Sequence, residues 1–178
     1  MVGLNEYPKI DGNILDANNV NKYHKGIATG TLTVVTTTTT AGVDYVDIPI
    51  PAGLLTEKDL IVIELIGTPS NIALLARLSL NDVTSVGNLL ASTDICTAND
   101  PYFARFVVYQ DKVTNDIMSA HKVSNDGGGD VYVGAGSLDS GDANVITTAF
   151  TLQLSMWNAS TSSGDSTHKY WVYAVSIP

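Results

Sequence analysis

Thr31–Leu55 reads TLTVVTTTTTAGVDYVDIPIPAGLL, with five consecutive threonines from Thr36 to Thr40. As a linker this stretch would divide the chain into two bodies; as a strand it belongs to one. Leu32, Val34, Thr36 and Thr38 alternate with Thr31, Thr33, Val35 and Thr37, and β-branched residues suit a pleated backbone. Ala41-Gly42 supplies a turn into Val43–Ile50, where Val46, Ile48 and Ile50 face one way and Tyr45 and Asp47 the other. A mucin-like stalk would scatter prolines among the threonines and would lack Leu32, Val34 and Val35. The stretch is therefore expected to be a first, outer strand followed by a second. An edge strand of this kind has free backbone groups that can pair with a neighbouring subunit.

The same period of two recurs downstream. Between Val145 and Trp157, Ile146, Phe150, Leu152, Leu154 and Met156 share one face, against Thr147, Thr151, Gln153 and Ser155. Ile72, Leu74, Ala76, Leu78 and Leu80 form another inward set, opposite Arg77 and Ser79. Phe103–Tyr109, Ile117–His121 and Val131–Val133 add further strands, and 85–92 in the longest connection reads as a single helical turn. Leu60–Ile66 and Tyr170–Ile177 are apolar on both faces, the pattern of strands covered twice. Leu60, Val62, Ile66, Trp171 and Tyr173 are accordingly the candidate subunit contacts. About nine short strands separated by turn residues predict an all-β chain, a single antiparallel β-sandwich of jelly-roll type over residues 28–178.

Residues 1–27 differ. Asp16 is a good N-cap, Leu15 and Val20 fit a hydrophobic staple, and Gly26 is a C-terminal stop. Lys22, His24 and Lys25 would sit at the dipole's negative end, so a short helix is expected over about residues 17–25. An isolated helix of this length is marginal in water and must dock, either on the domain or on a neighbouring molecule.

The 178 residues carry 18 acids against 9 bases, a formal charge of −9, which argues against nucleic acid as a partner. Charged residues make up 15% of the chain, which suits a polar, neutral surface or one buried against copies of itself. Cys96 is the only cysteine, so internal disulfides and thiolate metal clusters are excluded, and it is expected to be a small buried hydrophobe. No secretory signal is visible, and the apolar runs are too short to span a bilayer, so no membrane role is expected.

No nucleophile elbow, zinc-protease motif or phosphate loop is present, and the acids cluster in turns rather than on strand faces, so no enzymatic activity and no cofactor are expected. His24, His121 and His168 lie far apart, and His121 and His168 read as surface or interface residues. Asp126, Asp130, Asp139 and Asp142 lie among six glycines in Asn125–Asn144; this is a weak calcium pattern beside the simpler reading of two hairpin loops that use Gly and Asp for turn geometry. Trp157, Tyr170, Trp171 and Tyr173 could form an aromatic platform for sugar, set against packing in the core or between subunits.

Two passages resemble virion proteins of tailed bacteriophages. DGNILDANNVNKYHKGI, Asp11–Ile27, is similar to the attachment ends of phage fibre and appendage proteins at Gly12, Leu15, Ala17, Val20 and Asn21. VDIPIPAGLLTEKDLIVIELIG, Val46–Gly67, resembles a passage of jelly-roll domains in phage fibres and decoration proteins, where a strand ends at Pro-Ala-Gly and a strongly apolar strand follows a polar turn. The chain is short and has no repeat shaft, which points to a compact decoration or appendage protein rather than a full-length tail fibre. The resemblance implies a homo-oligomer, a trimer, that cements or decorates a capsid through the major capsid protein or another virion protein. Residues 1–27 would be the attachment arm, with Leu15, Asp16, Val20, Asn21 and Tyr23 as its contact residues, and the protein would be made in the host cytoplasm and located in the virion. The alternative is a carbohydrate-binding receptor-recognition module that takes a host glycan.

Overall fold

The computed structural model describes residues 24–36, 43–56, 58–69, 74–80, 89–96, 101–110, 117–125, 131–138, 149–157 and 164–176. Among them are ten strands: β1 (His24–Thr36), β2 (Val43–Ile50), β3 (Asp59–Pro69), β4 (Leu74–Leu80), β5 (Leu89–Cys96), β6 (Tyr102–Gln110), β7 (Ile117–Asn125), β8 (Val131–Leu138), β9 (Phe150–Trp157) and β10 (Gly164–Ser176). They form a six-stranded sheet in the order β1-β10-β3-β6-β7-β8 and a four-stranded sheet in the order β2-β9-β4-β5, and every pairing is antiparallel. The pairings are nested: β1 with β10, β2 with β9, β3 with β6 and β4 with β5. That is a long hairpin wound into two layers, the jelly-roll arrangement, with β7 and β8 widening one sheet.

Alternation decides which side of each strand is buried. Leu32 and Val34 of β1, Ile61, Ile63 and Leu65 of β3, Ala104, Phe106 and Val108 of β6, and Val172 and Ala174 of β10 point inward from the larger sheet. Ile48 and Ile50 of β2, Ala76 and Leu78 of β4, and Leu152, Leu154 and Met156 of β9 meet them from the smaller one. These side chains form a single apolar core between the sheets.

β1 lies at the edge of its sheet, as Thr31–Thr36 implies, with Leu32 and Val34 buried and Thr31, Thr33 and Val35 exposed. Thr37–Thr40 lie outside the described residues. The turn after β2 is closed by Leu54 N–H donating to the Pro51 carbonyl at 3.2 Å, and Gly53 takes φ +74° there. A side chain at Gly53 would strain that left-handed conformation, so the Pro-Ala-Gly sequence is matched to the turn.

Beyond this turn, the carboxylate of Asp59 has no solvent exposure and accepts from Thr56 N–H (2.6 Å), Lys25 Nζ (3.4 Å) and Ser176 Oγ. Burial alone would raise its pKa, but the bonds from Ser176 and Thr56 and the charge of Lys25 outweigh that and hold it below the ordinary value. The cluster ties the beginnings of β1 and β3 to the end of β10.

Three expectations are corrected. His24, Lys25 and Gly26 are not the end of a helix; they open β1, paired with Val175, Ala174 and Tyr173. Local capping signals lost there to hydrogen bonding with a strand remote in sequence, while residues 17–23 lie outside the described residues. Leu89–Ser92 belong to β5 rather than to a helical turn. His168 is fully buried in the core and His121 is half-buried on the inner side, so neither is a surface residue. Nδ1 of His168 lies 2.7 Å from Tyr102 Oη and Nε2 lies 2.7 Å from Ser166 Oγ, which meets the polar demand of a buried ring. His121 packs on Phe106 with ring centres 5.7 Å apart, and burial lowers its pKa.

Candidate functional site

Among the described side chains, the outer face of the four-stranded sheet carries Tyr45, Asp47, Arg77 and Gln153, with Gln153 Nε2 donating to Asp47 Oδ1 at 2.6 Å. The outer face of the six-stranded sheet carries most of the exposed large apolar side chains among the described residues: Ile66, Phe103, Tyr109 and Trp171, with Val35 at its edge. Leu60, Val62 and Tyr173 lie on the same face, so all five candidate subunit contacts share one surface.

Register sets the rows across this face. Trp171 of β10 stands opposite Glu64 of β3, Glu64 opposite Arg105 of β6, and Arg105 opposite Lys122 of β7. In the next row Tyr173, Val62 and Val107 are neighbours. Oε1 of Glu64 accepts from Arg105 Nε (3.0 Å), Arg105 Nη2 (2.5 Å) and Tyr173 Oη (3.1 Å). The hydrogen bond to Glu64 raises the Arg105 pKa further, and burial together with that carboxylate raises the Tyr173 phenol. The guanidinium also stands 5.7 Å from the centre of the Phe103 ring, a second restraint on its position.

A bulge shapes the rim of this face. The β1–β10 register shifts between Gly26 and Ala28, which leaves Ile27 as the extra residue. Gly26–Thr29 and Trp171–Tyr173 line a cleft of about 480 Å³ there, within the range of small-ligand sites. Trp171 is 41% exposed at its wall, and a side chain added at Gly26 would meet nothing within 4 Å. Thr29 Oγ1 donates across the strands to the Tyr170 carbonyl at 3.1 Å, which steadies the far side. An exposed indole, a phenol and a fixed carboxylate–guanidinium pair can stack on an apolar ring face and hydrogen-bond its hydroxyls.

The four aromatics named from sequence are divided by this geometry. Trp171 and Tyr173 share the cleft; Tyr170 points into the core; Trp157 closes β9 in the other sheet. Glu64 and Arg105 were missed, and Glu64 corrects the expectation that acids keep to turns. Their signal was the polar gap they leave in two otherwise apolar outward faces. Leu15, Asp16, Val20, Asn21 and Tyr23, and also Asp126, Asp130, Asp139 and Asp142, lie outside the described residues.

The chain matches no protein-family model and no curated protein sequence. Among solved structures it is similar to peanut lectin bound to a nonapeptide, at 10% identity over 87% of this chain and 91% of that one, with a TM-score of 0.45. It is also similar to arcelin-5, a lectin-like defence protein from Phaseolus vulgaris, at 8% identity over 86% and 92%, with a TM-score of 0.48. A chain of infectious bursal disease virus, Gx strain, is matched at 16% identity over 86% of this chain and 43% of that one, with a TM-score of 0.23.

Proposed function

We propose that this chain is a non-catalytic carbohydrate-binding module, and that the cleft beside Trp171 is its saccharide site. The observation that carries this reading is an exposed indole in the same row as Glu64 and Arg105, with Tyr173 of the adjacent row bonded to Glu64. Sugars present apolar ring faces and hydroxyls together, and this surface offers a partner for each. Glu64 is held by Arg105 and Tyr173, which fixes it as an acceptor instead of leaving it free as a base. The test is a glycan array probed with the wild type and Trp171→Ala. Saccharide binding lost in the variant, with the melting transition unchanged, supports the site; no hit with the wild type, or hits that persist in the variant, would remove it.

A second reading is favoured by the extent of the apolar face. Ile66, Phe103 and Tyr109 continue it well beyond the cleft, which suits contact with copies of the chain or with another protein. On that reading the chain is a virion structural protein, a trimer that decorates or cements a capsid, with residues 1–27 as its arm and 28–178 as its body. β1 starts at His24, so removing residues 1–23 spares the sheet. Particle binding lost by that truncation while the oligomer persists would support the arm; unchanged particle binding would sink it.

A further inference from the structure

The charge around the cleft runs against the charge of the chain, and this carries the saccharide reading one step further. The chain has 18 acids against 9 bases. Among the described side chains on the outer face of the six-stranded sheet the balance is reversed. Arg105 and Lys122 continue the row that begins at Trp171 and Glu64, and Lys169 lies two residues from Trp171 on the same strand. Lys122, Lys169 and Arg105 are all exposed. Among side chains described on this face the one acid is Glu64, and its Oε1 is already occupied by Arg105 and Tyr173. Asp165 sits at the other end of β10, about 20 Å from Trp171 along the strand.

We infer that the ligand of this cleft is an acidic saccharide, one whose carboxylate or sulfate groups meet Arg105, Lys122 and Lys169 while a sugar ring stacks on Trp171. Adjacent strands are about 4.8 Å apart, so Arg105 lies roughly 10 Å from Trp171 and Lys122 one strand further. A single sugar on the indole does not span that distance, whereas an oligosaccharide running across the strands does. Lys169, closer along β10, meets an anionic group on the stacked residue itself. Arg105 keeps guanidinium hydrogens beyond those given to Glu64, and half of its side chain remains in solvent, so it can still receive an anion. A strongly negative protein would otherwise repel such a ligand, and a local basic island is what brings it to one place.

This inference rests on the saccharide reading, and titration calorimetry separates the two. The probes are uronic-acid oligosaccharides, sulfated oligosaccharides and their neutral counterparts, each at low and high ionic strength. One or both anionic series should bind at least about tenfold more tightly than the neutral series at low salt, and should lose that advantage as salt rises. Lys122→Gln/Lys169→Gln, both at exposed positions, should reduce anionic binding and leave any neutral binding unchanged. Equal binding of neutral and anionic oligosaccharides, abolished by Trp171→Ala, would overturn the acidic assignment and leave the saccharide site standing. Absence of binding by all three series would overturn both. Whichever of the carboxylated or sulfated series binds identifies the anion.

Discussion

The hydroxyl of Tyr102 lies 2.7 Å from Nδ1 of His168, deep in the sandwich, while Ser166 Oγ holds the other ring nitrogen. Desolvation pushes the pKa of this histidine down to about 4. In the unfolded chain it would titrate near 6.5, so the native state holds the ring neutral while the unfolded state protonates. The stabilising contribution is therefore complete above about pH 6.5, declines as pH falls towards 4, and is gone below that, a loss of about 3 kcal/mol. Urea unfolding across this window should show the slope, and His168→Gln should flatten it whatever its absolute stability. An identical slope in the variant would assign the acid sensitivity to another group.

Tyr170 turns its ring over Gly30, its partner across β1 and β10. A methyl at Gly30 would sit 2.5 Å from Tyr170 Oη and 2.8 Å from Cζ. Gly30→Ala should therefore destabilise the protein by about 1–3 kcal/mol, the usual range for overpacking. Tyr170→Leu should cost stability alone but less in combination with Gly30→Ala than the sum of the two. Strict additivity in denaturant midpoints would show that the ring is not the obstacle.

At the edge of the larger sheet, Thr33 N–H donates to Asp44 Oδ2 at 2.7 Å, and Asp44 Oδ1 accepts from Tyr45 N–H at 2.9 Å. One carboxylate thus occupies a backbone donor on the strand most exposed to pairing with another chain. Asp44→Ala should lower stability by only about 1 kcal/mol, since the site is exposed. It should raise self-association measurably in sedimentation velocity. A variant that associates no more than wild type would show that Asp44 does not guard the edge.

Gly26 faces open space on the rim of the cleft, opposite Tyr173. Gly26→Leu should fold normally and weaken saccharide binding by about tenfold or more by filling the site. Affinity equal to wild type in a folded Gly26→Leu protein would move the site away from the bulge.

Much of the sandwich was legible because β1, β2, β4 and β9 each bury one face. Leu32 and Val34, Ile48 and Ile50, Ala76, Leu78 and Leu80, and Phe150, Leu152, Leu154 and Met156 all lie on the inner side that their spacing implied. β5 was not legible, because the polar Ser92-Thr93-Asp94 blurs its alternation and pairing with β4 supplies what periodicity does not. His168 was misread on residue type, although its spacing from Tyr170, Val172 and Ala174 places it on the inner face. Of the cleft, Trp171 and Tyr173 were named, but their partners were not. Glu64 and Arg105 are remote in sequence and share a row with Trp171 only through the β10–β3–β6 register.

The sequence by itself determined the class of fold and the inward faces of strands such as β1, β2, β4 and β9, because these follow from the burial of alternate side chains. Tertiary structure decided which strands are neighbours, and with them the bulge at Ile27, the burial of His168 and the row from Trp171 to Lys122. The physical reason is that hydrogen-bonded register between distant strands brings side chains together, and no local pattern along the chain encodes that register.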